Sequence, residues 1–173
     1  KLSGSCKTCV YGSKCLGGCP NTRLTMKGSI YEENEYCAYN LSLKKKETKY
    51  SKCDNADALR RLADSLIQQG DYQEASFALK RTKELDPDNV DVYSAIGYSE
   101  FMCGNYESCL EAYNKALEMD GNNTYAMGGQ ALALFRLGQK DEGIRIMRKA
   151  VEMTGGRDMN LIQDLRYMTD GKM

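Results

Sequence analysis

Histidine is absent from the 173 residues of this chain. With it go His-ligated zinc, His-ligated haem and every catalytic triad that uses imidazole as its base. Long apolar runs are absent too. No stretch approaches the ~18 residues that indicate a membrane span, so no membrane partner is expected. No secretory signal pattern opens the chain, which begins at Lys1 rather than Met. The expectation is a fragment or processed form of a cytoplasmic protein.

Net charge is absent as well, with 24 Lys/Arg against 24 Asp/Glu. The balance hides an asymmetry: residues 1–56 hold ten Lys/Arg and five Asp/Glu, whereas residues 57–173 hold fourteen and nineteen. The basic run Lys44, Lys45, Lys46 with Lys49 and Lys52 is short, and Tyr50 is the only aromatic near it, so no nucleic-acid partner is expected. A hydrophobic content of 42% is ordinary for a globular chain and argues against disorder.

Cysteine is the abundant residue. Six of the eight fall in the first 53 positions: Cys6, Cys9, Cys15, Cys19, Cys37 and Cys53. Such density fits a secreted disulfide module or a metal site. The long remainder can bury a core of its own, and in a reducing cytosol clustered cysteines are more often metal ligands. The pattern reads Cys6-x2-Cys9-x5-Cys15-x3-Cys19, then a gap, then Cys37. Four thiolates hold either a 4Fe–4S cluster or tetrahedral zinc, and spacing alone does not choose between them. Around them Gly17-Gly18 and Pro20 force turns, so residues 1–55 are expected to be a small loop-rich segment organised by metal, with residues 38–55 leading onward.

The second part repeats. Gly70, Gly104 and Gly138 are spaced by 34, and the segment ends Lys83–Asn89, Leu117–Asn123 and Val151–Arg157 align with the same period. Leu59, Leu62, Ala63, Leu66 and Ile67 recur at helical spacing, as do Ala75, Leu79 and Thr82. Gly70 supplies a left-handed helix end, Asp71 caps the next helix, Asp141 is expected to cap in the third unit, and Pro87 closes the first. The period and these features resemble the tetratricopeptide repeat. The resemblance implies a mainly α domain over 56–173. Helix–turn–helix units fall at 56–89, 90–123 and 124–157, and a capping helix at 158–169 carries Leu161, Ile162, Leu165 and Met168 over the last open face.

Small residues belong where the two helices of a unit touch: Ala63, Gly97 and Ala131 at one position, Ala75, Cys109 and Gly143 at another. On that reading Cys109 is a packed small hydrophobe, and Cys103, beside a turn, is partly exposed. By family analogy the first helices face a concave groove with Asp57, Arg60, Asp64 and Ile67, then Asp91, Ser94, Tyr98 and Phe101, then Tyr125, Gly128, Leu132 and Phe135. Tyr98, Phe101, Tyr125, Leu132 and Phe135 are the candidate groove for a peptide or protein partner. The alternatives are that Phe101, Leu132 and Phe135 are packed core, or that the groove docks on a catalytic domain or on another copy.

The run Cys6-Lys-Thr-Cys9 through Cys15-Leu-Gly-Gly-Cys19-Pro-Asn-Thr-Arg23, with Gly28 and Tyr36-Cys37, resembles the second half of a SPASM domain. That domain follows the catalytic barrel in radical S-adenosylmethionine enzymes that mature peptides and proteins. The resemblance implies Cys6, Cys9, Cys15 and Cys37 as ligands of one auxiliary 4Fe–4S cluster and Cys19 as a ligand of a second. The upstream cysteines of the pattern, and the motif that binds S-adenosylmethionine, are not in this sequence, so the chain is not expected to be active by itself. Cys53 has no place in the pattern. The other reading is a non-enzymatic adaptor with a four-cysteine structural zinc head and a protein-binding helical tail.

Overall fold

Short amide and carboxylate side chains cap the starts of most helices among the described residues. In the computed structural model, which describes residues 49–170, Asn55 Oδ1 accepts from the Ala58 N–H at 2.9 Å and opens α1 (Ala56–Gln68). Asp71 accepts from Glu74 N–H at 3.2 Å and opens α2 (Tyr72–Leu85). Asn89 and Asn123 do the same for α3 (Val90–Met102) and α5 (Thr124–Arg136). α4 (Tyr106–Met119) and α6 (Lys140–Met153) start at Asn105 and Gln139 without a side-chain cap. Asp141 therefore does not cap, contrary to the expectation from sequence. It lies one residue inside α6, where its charge complements the positive end of the helix dipole.

The first helix of each unit ends the same way. Gly70, Gly104 and Gly138 adopt φ of 78°, 79° and 88°, a left-handed conformation that a side chain would strain. The Gly70 N–H reaches Ile67 O at 3.0 Å and the Asp71 N–H reaches Leu66 O at 2.9 Å, so the last carbonyls are satisfied before the chain turns into α2. After α6, Gly155 and Gly156 turn the chain, and Asp158 accepts from Asn160 and Leu161 N–H to start α7 (Met159–Asp170). The helices open at residues 56, 90 and 124, as the 34-residue period requires, and the final helix runs one residue later than expected. No strand occurs among the described residues.

Packing follows the small residues. Ala63, Ala75, Cys109 and Ala131 are completely buried, and Gly97 and Gly143 are buried beside them. A Cβ on Gly143 would lie 2.6 Å from Ala131 O, so α5 and α6 cross at a distance only glycine allows. Leu59 is buried in α1, whereas Leu62 is 40% exposed. One core cluster gathers Cys109, Tyr113, Ala116, Ala126 and Ala133 between the second and third units. Another gathers Met127, Ala131, Met147 and Ala150 with Leu161 and Met168 of α7. The final helix thus covers the apolar face that the third unit would otherwise expose.

The first and second units are joined through a carboxylate. Glu100 of α3 is 3% exposed and accepts from Ser76 Oγ at 2.6 Å, Asn105 Nδ2 at 2.7 Å and Lys80 Nζ at 2.8 Å. That is three donors for one buried anion, the arrangement that makes its burial tolerable. Asn105 turns its Nδ2 to Glu100, and its Oδ1 makes no capping bond to α4.

Candidate functional site

Within the helical unit α3 touches α5, and α5 touches α7, more closely than the second helices of neighbouring units touch each other. The closer packing of α3 on α5 places these two helices on the inner side of the stack. Residues spaced three or four apart on those helices share that inner face.

Tyr98 and Tyr125 are the two sequence-derived groove residues that remain available there. The Tyr98 ring meets the Tyr72 ring edge-on at 5.8 Å, and Tyr125 meets Tyr113 at 6.3 Å. Tyr125 is 55% exposed, the most open large aromatic among the described residues. Burial raises the Tyr98 phenol above its ordinary range, and the neighbouring Tyr72 adds to this. Burial also raises Tyr113 and Tyr125. These phenols are therefore neutral at physiological pH. They present ring surface and hydroxyl groups, and no base.

The other three groove residues face packed surroundings. Phe101 lies against the cluster around Cys109 and stacks edge-on with Tyr106 at 5.4 Å. Leu132 and Phe135 pack against the cluster that α7 completes, and the Phe135 ring lies 6.0 Å from that of Tyr167. Gly128 is covered as well, since a Cβ there would lie 2.6 Å from Leu161 Cδ2. The structure thus brings Tyr98 and Tyr125 together with Tyr72 and Tyr113, and places Leu132 and Phe135 beneath the capping helix.

Tyr72 and Tyr113 escaped the sequence reading. A signal for Tyr113 was present: Gly97 and Gly129 lie sixteen residues on either side of it, and both sit in helix interiors, where glycine is unfavourable. Their Cβ positions are taken by the Tyr113 ring. Tyr72 gave no such signal.

Polar groups complete the face. Asp57 and Asp91 are exposed at the starts of α1 and α3. Arg60 is tied to Asp64 at 3.1 Å. Ser94, between Asp91 and Tyr98 in register, is buried, and its hydroxyl has no hydrogen-bond partner among the described residues.

The cysteines divide. Cys6, Cys9, Cys15, Cys19 and Cys37 lie outside the described residues. Cys53 is half-buried near Asn55 O. Cys103 is exposed at the turn after α3, and Cys109 is fully buried, its thiol pushed up to about 12 by burial and the nearby Glu100 charge. Among the described residues no group of His, Cys, Asp or Glu is placed to hold a metal ion, and no helix is long and apolar enough to cross a membrane.

Models of the tetratricopeptide repeat match residues 56–89 and 94–158. Solved structures share the fold at low identity. The first such repeat domain of Spaghetti (RPAP3), bound to the HSP90 peptide SRMEEVD, is 18% identical with a TM-score of 0.63, over 70% of this chain and 96% of that one. The Sgt2 domain from Aspergillus fumigatus is 18% identical with a TM-score of 0.62, over 67% and 78%. The Yersinia enterocolitica type III secretion chaperone SycD, in complex with a peptide of the translocator YopD, is 19% identical with a TM-score of 0.61, over 70% and 97%. Among curated proteins none matches in sequence. Through residues 56–158, which carry both matches and the helical pairs described above, the chain belongs to the tetratricopeptide-repeat family.

Proposed function

We propose that this chain is the C-terminal auxiliary iron–sulfur and repeat region of a radical S-adenosylmethionine enzyme that modifies a peptide or protein, with its repeats holding the precursor or a partner protein. The observation that carries the enzymatic part is the five-cysteine register of residues 6–37, a donor set of thiols with no imidazole anywhere in the chain. Cys6, Cys9, Cys15 and Cys37 would hold one 4Fe–4S cluster, and Cys19 would reach a second whose other ligands lie upstream. Such a cluster supplies one-electron chemistry and a covalent anchor for a loop-rich segment. S-adenosylmethionine belongs to the catalytic domain of the parent enzyme, which would be the chain's other partner.

The binding part rests on the inner face of α3 and α5. Its neutral phenols, exposed ring of Tyr125 and flanking carboxylates suit recognition of an extended segment rather than chemistry on it. Solved domains of the same fold carry short peptides, which supports the same use here.

A second reading keeps the groove and replaces the cluster: a non-enzymatic adaptor whose four-cysteine head binds structural zinc. Cys-x2-Cys spacing fits both metals. In either case the metal organises the head, so Cys9→Ala and Cys15→Ala should each open residues 1–40 to protease while helicity by circular dichroism is unchanged. A head that resists protease equally in both variants would remove metal as its organiser.

A further inference from the structure

The chemistry of the inner face also selects among peptides. We propose that it takes a segment carrying arginine or lysine beside an apolar residue; this rests on the peptide-binding reading above. Three observations converge. Asp57 and Asp91 stand exposed at the starts of α1 and α3, and neither is paired with a cation among the described residues. Arg60, the one cation among the groove positions of α1, α3 and α5, is already neutralised by Asp64 at 3.1 Å. Tyr98 and Tyr125 offer ring faces one and two units along, where a guanidinium or ammonium group gains from the ring quadrupole.

The face is thus acidic at one end, aromatic in the middle and closed by α7 at the other. An acidic segment would set its carboxylates against Asp57 and Asp91. A cationic residue placed between Asp91 and Tyr98, with an apolar neighbour against Tyr125, satisfies every group named. Because the carboxylates are exposed, the attraction is screened by salt.

The test uses the full chain and two synthetic peptides of equal length and apolar content, one with arginines and the other with glutamates at the same positions. Affinity is measured by fluorescence anisotropy at low and high salt. The arginine peptide should bind, weaken with salt, and weaken about three- to tenfold in a chain carrying Asp57→Asn and Asp91→Asn. Those exposed substitutions leave the fold intact, which circular dichroism checks. Tyr125→Ala should weaken it further. Equal or tighter binding of the glutamate peptide, still lost in Tyr125→Ala, would overturn this inference and leave the groove as a peptide site. Arginine-peptide binding indifferent to all three substitutions would place the cation elsewhere and overturn it. Failure of both probes and of a random peptide library to bind would overturn it together with the peptide-binding reading.

Discussion

A Cβ on Gly97 of α3 would lie 2.8 Å from the ring of Tyr113 in α4. The same ring closes still nearer to the Cβ position of Gly129 in α5, so one aromatic side chain wedges three helices and joins the second unit to the third. Gly97→Ala and Gly129→Ala each gain up to about 1 kcal/mol of helix propensity but force the buried ring aside. Overpacking of this kind costs about 1–3 kcal/mol, so the net effect is destabilising. Urea unfolding followed by circular dichroism should show lower midpoints for both. Gly121→Ala, whose Cβ would meet only Leu117 O at 3.7 Å, should shift the midpoint little.

Glu100 ties stability to pH. Burial pushes its carboxyl up, but the Lys80 charge and the hydrogen bonds from Lys80, Ser76 and Asn105 outweigh this and hold it below the usual range. A carboxyl depressed in the folded state contributes stability that is present above its unfolded value of about 4.3 and is lost as pH falls through the lower folded value. Thermal unfolding between pH 7 and pH 3 should show this loss, and Glu100→Gln should flatten it. Glu100→Ala strands the Ser76 hydroxyl and the Asn105 amide at the joint between units, while the half-exposed Lys80 returns to water, and should cost about 1–3 kcal/mol at neutral pH. A Glu100→Gln chain with an unchanged pH profile would contradict this role.

The two cysteines of the second unit should differ sharply toward a thiol reagent. Cys103 is exposed, whereas Cys109 is fully buried with its thiol raised to about 12. Brief alkylation of the native chain followed by peptide mass mapping should label Cys103 and spare Cys109. Cys109 should react once urea unfolds the repeats. Labelling of both at equal rates in the native chain would contradict the packing of Cys109 with Tyr113, Ala116, Ala126 and Ala133.

The repeat architecture was legible because its signals are local. Periodicity, the turn glycines at 70, 104 and 138, and the small residues at 63, 75, 97, 109, 131 and 143 each follow from neighbours within one helical hairpin. The site was legible in part. Tyr98 and Tyr125 follow from register, but the final helix takes Leu132 and Phe135 into its own packing, and register says nothing about how far that helix reaches. Tyr72 and Tyr113 meet Tyr98 and Tyr125 from second helices, across distances that no periodic rule encodes. Asp141 misled because an acidic residue near a helix start serves as a cap or as a dipole partner, and only backbone placement separates the two.

The enzymatic reading stands or falls on the metal. The deciding measurement is iron, sulfide and zinc content with an absorption spectrum, on the full chain purified without oxygen. The account predicts about four irons and four sulfides per chain and a broad brown absorption. One zinc and no colour, even after anaerobic reconstitution with iron and sulfide, would contradict it and leave a zinc-stapled adaptor in its place.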